Sequence, residues 1–381
     1  MPGPPRISVA ELAAGAADSP LLDGSGQPSW PLLAVDLGNA AACHPGDEQS
    51  AVTLRRAAAR AAGCPRLLIG LATGPLATGP LAAGPLGAVA TGAGELLRAL
   101  DLTFTPAPAT GDEPARECVP VPDPEAALAA LDAASAASPR AALVLRQVLR
   151  ATEELPVREA LDVESLAYSV LLGGAEFGRW RTARPARPLP PQAADPVLVR
   201  REQQGGEDRL LITLNRPERR NAYGRQLRDA LADALCVALY DQSVERVVLD
   251  GAGPSFSAGG DLAEFGTAPD PVTAHFVRTQ GGAALLLHAL RDRAEVRVHG
   301  PCVGAGVELP AFAGTVTADR GTKFTLPEVR MGLIPGAGGT VSLPRRIGRW
   351  RTLFLALGGQ PLDAATALAW GLVDRLDPAG R

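Results

Sequence analysis

The chain has 381 residues, long enough for one large domain or two modest ones, with a hydrophobic share of 46% and a charged share of 20%. Its 37 basic side chains face 41 acidic ones, so no cationic excess recommends nucleic acid or an acidic membrane as a partner. The five cysteines, Cys43, Cys64, Cys118, Cys236 and Cys302, form no CxxC pair, which argues against a disulfide framework or a structural zinc site and predicts a reduced, cytoplasmic setting.

The opening MPGPPRISVAELAAG has neither the basic-then-apolar order of a signal peptide nor an amphipathic Arg/Ser pattern. Gly or Pro interrupts every apolar stretch before it could span a bilayer, so a soluble protein is expected. Leu32 to Leu37 reads as a strand, the stretch through Leu54 and Arg60 as a helix, and Leu67 to Leu71 as a second strand. Residues 71–94 repeat a Gly-Pro-Leu-Ala unit whose prolines forbid helix, and read as a surface loop. Three helices are predicted between Asp123 and Trp180. Asp123-Pro124-Glu125 offers an N-cap and a first-turn proline, Ser138-Pro139 starts the second, and Pro156 or Asp162 the third.

Residues 183–196, ARPARPLPPQAADP, form a stiff, extended stretch of the kind that joins units. The expected division is therefore 1–185, a linker over 183–196, and 197–381. Beyond it, Leu210 to Leu214 is a strand ending in Asn215-Arg216-Pro217. Leu227, Leu231, Leu235 and Leu239 mark one helix face, and Val247-Val248-Leu249 is a buried strand. Both halves thus run helix, apolar strand, Gly-bearing turn, an order any α/β chain can show.

Gly304-Ala305-Gly306 suggests phosphate binding, but position 309 is Leu309 rather than the third glycine of a dinucleotide fingerprint, and no GK[ST] triplet occurs. His44, His275, His288 and His299 lie at no metal-binding spacing. Phe256-Ser257-Ala258-Gly259-Gly260-Asp261-Leu262 and His299-Gly300-Pro301-Cys302-Val303-Gly304-Ala305-Gly306-Val307-Glu308 each follow a strand and surround backbone N–H groups with small residues. Two such N–H groups converging would make an oxyanion hole, the second strengthened by the positive end of its helix; alternatively, small residues only allow close packing. Glu308 and Glu328 stand in apolar company, where a carboxylate needs a partner, water or substrate. Beside an oxyanion hole they would supply one acid and one base; otherwise they are capping or ion-paired carboxylates.

Taken together, LITLNRPERRNAY, VVLDG, SFSAGGDLAEF, VHGPCVGAGVELPAFA, FTLPEVRMGLIPGAGGTVSLPRRIG and ALAWGLVD, in that order, resemble the crotonase or enoyl-CoA hydratase/isomerase superfamily over Leu210 to Asp374. The resemblance implies an α/β fold, a crotonase-like spiral of ββα units with a helical cover. It puts Gly260 and Ala305 at the oxyanion donors and Glu308 and Glu328 at the two catalytic glutamates. Ala258, Gly259, Asp261, Leu262, Arg219, Ala222 and Gly304 fall at substrate-binding positions. The substrate implied is an acyl-CoA thioester, with no cofactor, no nucleic acid and no membrane, in a homo-oligomer, trimer or hexamer. Both glutamates together favour a hydratase, with an isomerase as the near variant.

The sequence departs from the family in three places. Gly253-Pro254-Ser255 and Ala263 stand where members usually carry phosphate-anchoring Lys or Arg. Pro310 and AFAGTVTAD resemble a subgroup that includes the cofactor-free dihydroxyphenylacetyl-CoA dioxygenase, which provides a same-fold alternative; a non-catalytic CoA-binding or scaffold subunit is the other. Members also continue past GLVD with a helical bundle, and residues 138–182 resemble that bundle here. The N-terminal half is therefore expected to be an abridged, degenerate crotonase copy that lends helices to the second, with Phe177, Arg179 or Arg181 near the CoA end.

Overall fold

A computed structural model describes residues 3–38, 48–72, 91–106, 115–185 and 188–377. Most of the Gly-Pro-Leu-Ala repeat and Cys43 lie outside the described residues. Cys64, Cys118, Cys236 and Cys302 are free thiols.

The chain divides into two compact units, one of residues 1–147 with 348–358 and one of 148–347 with 359–381. In the first, strands β1 (Arg6–Ser8), β2 (Leu32–Asp36), β3 (Leu67–Leu71), β4 (Leu102–Pro106) and β5 (Cys118–Val121) form one parallel sheet in that order. Parallel neighbours require crossover connections, which α1 (Val9–Ala14), α2 (Glu48–Gly63) and α3 (Thr91–Ala99) supply. The strands and first helix foreseen around Leu32, Leu54 and Leu67 are in place; β3 is buried along its whole length, as expected of a strand covered on both faces. Asp123 caps α4 (Pro124–Ala137) by accepting from the Glu125 and Ala126 N–H groups. α5 (Pro139–Ala151) then crosses into the second unit.

The second unit opens with α6 (Val157–Leu172) and α7 (Ala175–Thr182). It continues through β6 (Val197–Gln204), β7 (Glu207–Leu214), α8 (Arg225–Tyr240), β8 (Arg246–Gly251), α9 (Pro271–Gly281), α10 (Ala284–Ala289) and β9 (Ala294–Val298). Then come β10 (Pro301–Val303), α11 (Ala305–Glu308), β11 (Thr315–Asp319), β12 (Lys323–Thr325), α12 (Gly339–Gly358), β13 (Leu362–Asp363), α13 (Ala364–Trp370) and β14 (Arg375–Asp377). One sheet runs β14-β11-β9-β8-β7-β6, parallel except for the antiparallel β6 edge, and β10-β12-β13 form a second. On α8 the buried residues Leu227, Leu231, Ala234, Leu235 and Ala238 follow the helical period that the leucines announced.

The division between units falls at Gln147–Val148, not at the Pro-rich stretch 183–196. Hydrogen bonds tie that stretch down instead: the Ala193 N–H donates to Gln226 Oε1 (2.8 Å), Gln226 Nε2 to the Pro191 carbonyl (3.2 Å), and Asn215 Nδ2 to the Asp195 carbonyl (2.9 Å). Helices α6 and α7 consequently belong to the unit that carries the acidic motifs. The helix expected after Gly304 is shorter than foreseen: α11 is one turn, and Pro310, which has no N–H, opens a separate 3-10 turn over Pro310–Phe312. A single turn aligns too few peptide dipoles to lend the Ala305 N–H the help expected from a helix end.

Candidate active site

A cavity of about 710 Å³ in the second unit gathers residues from distant parts of the chain, including Glu164 and Tyr168 of α6, Phe177 and Arg181 of α7, Gly260, Ala305, Glu308 and Glu328. Its size suits a small organic ligand. Gly260 follows β8 by a short loop and Ala305 follows β10. The two loops are pinned side by side by a parallel bridge between Ser257 and Cys302, in which the Val303 N–H donates to the Ser257 carbonyl at 3.1 Å.

The residue before each of these two positions must be glycine. Gly259 has φ +83° and a side chain there would meet the Val303 carbonyl oxygen at 2.7 Å; Gly304 has φ +50° and a side chain would meet Glu328 Oε1 at 2.5 Å. These left-handed turns leave the Gly260 and Ala305 N–H groups with no hydrogen-bond acceptor among the described residues. Both residues line the cavity. A buried donor without an acceptor is costly, so a pair of them facing one cavity is a site able to receive an oxygen.

Glu308 ends α11 and is 2% exposed; Glu328 opens a 3-10 turn, Glu328–Met331, and is 8% exposed. Glu308 Oε2 accepts from the Ala337 N–H (2.7 Å) and the Gly339 N–H (2.8 Å). Glu328 Oε2 is buried with no hydrogen-bond partner. Burial, and then the nearby Glu328 and Glu164 carboxylates, hold the Glu308 proton on well above the usual carboxylate range. Burial pushes Glu328 up to about 8, with repulsion from Glu164 adding to it.

Glu164 is a third carboxylate at the cavity, 2% exposed and pushed up to about 7 chiefly by burial. It accepts from the Gly338 N–H (2.8 Å), the Thr340 N–H (2.8 Å) and the Thr340 hydroxyl (2.7 Å). The motif reading missed it because α6 lies outside the matching segments. The available signal was its phase: Ala160, Glu164, Tyr168 and Leu171 share the buried face of the helix, and an acid in that row needs a reason. Arg278 of α9 lies over the Tyr168 ring, 4.5 Å from its centre, and Tyr168 and Arg278 both line the cavity.

Of the other positions singled out in the sequence, Asp261 lines the cavity and forms a bidentate ion pair with Arg219, at 2.8 Å and 3.1 Å to its Oδ2. Arg219, Ala222, Ala258, Gly259, Leu262 and Gly304 do not line it. Gly259 and Gly304 shape the loops from behind, and the Ala258 N–H is bonded to the Arg220 carbonyl at 2.8 Å. On α7, Phe177 and Arg181 reach the cavity and Arg179 does not.

A family profile described as enoyl-CoA hydratase/isomerase matches residues 207–381. A probable enoyl-CoA hydratase of Mycobacterium bovis is 35% identical over 185 residues, covering 48% of this chain and 69% of the relative. The chain belongs to the enoyl-CoA hydratase/isomerase family. Two relatives in Escherichia coli show the spread of chemistry around this family member. A 2,3-dehydroadipyl-CoA hydratase is 35% identical over 183 residues, covering 48% of the chain and 69% of its own length. A 1,2-epoxyphenylacetyl-CoA isomerase is 36% identical over 169 residues, covering 43% and 64%. The α/β fold of this hydratase/isomerase-family chain is crotonase-like, and the profile does not reach α6 or α7, which carry Glu164, Tyr168 and Phe177.

Proposed function

We propose that the chain is an enoyl-CoA hydratase that binds the thioester carbonyl at the Gly260 and Ala305 N–H groups and adds water with Glu308 and Glu328. One observation carries this reading: two acceptor-free backbone donors and a buried carboxylate with an unpartnered oxygen, Glu328 Oε2, border the same cavity.

The chemistry follows from the charges. As the water oxygen adds to the β carbon, electron density moves through the α carbon to the thioester oxygen, giving an enolate-like charge. Preorganised N–H donors stabilise that charge with little rearrangement. One glutamate accepts the water proton and the other delivers a proton to the α carbon, so that water's oxygen and both hydrogens are accounted for and the site is ready for another turnover once its proton is relayed. Burial and repulsion within the acidic cluster favour the protonated form of Glu308 and Glu328, so an acid is at hand, and the other glutamate of the pair serves as base once it has lost its proton. Moving a double bond along the acyl chain would need only the proton transfers.

CoA phosphates need cations. With Ala263 at 8% exposure in the usual lysine place, three of the four arginines on the cavity lining, Arg181, Arg225 and Arg228, are the groups we assign to them; the fourth, Arg278, lies over Tyr168. The test is a panel of enoyl-, dienoyl- and arylacetyl-CoA thioesters assayed with and without oxygen. Oxygen-independent hydration of an enoyl-CoA supports the reading; oxygen uptake with an arylacetyl-CoA, or no turnover of any thioester, overturns it.

A further inference from the structure

Four successive N–H groups, those of Ala337, Gly338, Gly339 and Thr340, are shared alternately between two carboxylates. Ala337 and Gly339 donate to Glu308; Gly338 and Thr340 donate to Glu164, which the Thr340 hydroxyl also serves. Glu164 therefore holds the far side of the same segment that holds Glu308. We propose that Glu164 is a positioning residue, fixing the Ala337–Thr340 segment so that its other two N–H groups set the Glu308 carboxylate at the reacting carbons.

Its bonding separates it from the reacting pair. Both Glu164 oxygens already accept from the protein, three donors in all, whereas Glu328 Oε2 accepts from none. A carboxylate so occupied is poorly placed to exchange protons with substrate, but well placed to fix backbone. It arrives on α6, so this part of the site is completed by a helix outside the segment that matches the family profile. The charged and titratable groups around it are Glu308 and Glu328 across the cavity, Tyr168 one turn on along α6, and Arg278 from α9, which donates to Ser165. Besides geometry, its negative charge helps to keep protons on Glu308 and Glu328.

This inference rests on Glu308 being an acid/base group, so Glu308→Gln is measured in parallel. The readouts on the full chain are kcat and KM for hydration of crotonyl-CoA, the kcat–pH profile, and exchange of the α hydrogen of an acyl-CoA in deuterated water. Glu164→Gln cannot satisfy both sets of donors, because its amide NH₂ must face an N–H. It is expected to lower kcat by on the order of 10² with KM unchanged, the scale of a small misplacement of a reacting group. With one negative charge gone, the acid limb of the profile moves to lower pH. Thr340→Val, which removes one donor, should show a smaller fall, and Thr340→Ser should restore the parental rate. Parental kcat and pH profile in Glu164→Gln, beside an inactive Glu308→Gln, overturns the proposal and leaves the hydratase reading standing. A raised KM at unchanged kcat also overturns it, since Glu164 would then touch substrate. If Glu164→Gln does not fold, parental kinetics in Thr340→Val decide against the proposal. An active Glu308→Gln, or a parental protein without hydration or exchange, overturns both readings.

Discussion

In the first unit the buried Asp101 lies between two guanidiniums, Arg146 at 2.8 Å and Arg349 at 3.8 Å, and also accepts from the Leu68 N–H. In the second unit Glu164, Glu308 and Glu328 are buried together, and no arginine or lysine forms an ion pair with any of them among the described residues. The first arrangement gives its carboxylate cationic partners. The second leaves carboxylates whose proton affinity is raised by burial and by each other, with only N–H groups, one hydroxyl or nothing as partners. Buried charge with a counter-ion marks structure; buried carboxylates without one, gathered at a cavity, mark a site.

Four measurements break or sharpen that contrast. Glu308→Gln and Glu328→Gln should each lower turnover by about 10²–10⁴ while leaving the fold intact, as judged by hydration kinetics beside circular dichroism. Parental turnover in both would remove the chemical half of the comparison. For the structural half, Asp101→Ala removes the buried carboxylate that Arg146 and Arg349 flank and should destabilise the protein by about 3–5 kcal/mol in a denaturant titration, with kcat of the remaining folded molecules unchanged. Little loss of stability would mean that the cluster in the first unit is not what neutralises its charge.

Ala305→Pro deletes one of the two acceptor-free donors and should cost about 3 kcal/mol of transition-state stabilisation, whereas Ala305→Gly, which keeps the N–H, should be mild. A folded proline variant with normal kcat would remove the oxyanion role. The smallest effect expected is on the pH dependence of stability. Folded Glu328 keeps its proton up to about 8 against an ordinary value of 4.5, so the native state binds more protons than the unfolded chain across that interval. Its contribution is fully present below pH 4.5 and is lost as pH rises through about 8. Glu328→Gln should flatten this part of the melting-temperature profile; an unchanged slope would show that the carboxyl is not proton-loaded by burial.

The legible part of the site was the part built from contiguous sequence. Gly260, Ala305, Glu308 and Glu328 each sit in short, unusual strings, and the fold brings all four to one cavity. The strands at Leu32, Leu67 and Val247 were likewise readable, because unbroken apolar runs state their burial directly, and the one at Leu210 buries alternate residues. Glu164 was not readable as a site residue, because VREALDVESLAYSVLL has the composition of any amphipathic helix and its meaning depends on which surface that helix covers. The Pro-rich stretch misled for a related reason: stiffness with few large apolar side chains suggests a linker, but hydrogen bonds with Asn215 and Gln226 hold it within the second unit. Nor did the Gly304 region disclose that its helix would last a single turn, since Pro310 lies close enough to be read either as a first-turn residue or as a break.

The alternating segment Ala337–Thr340 gives two acids one support. Odd-numbered N–H groups serve Glu308 and even-numbered groups serve Glu164. Backbone that moves toward one carboxylate draws away from the other, so the placements of the two acids are linked through four consecutive peptide units.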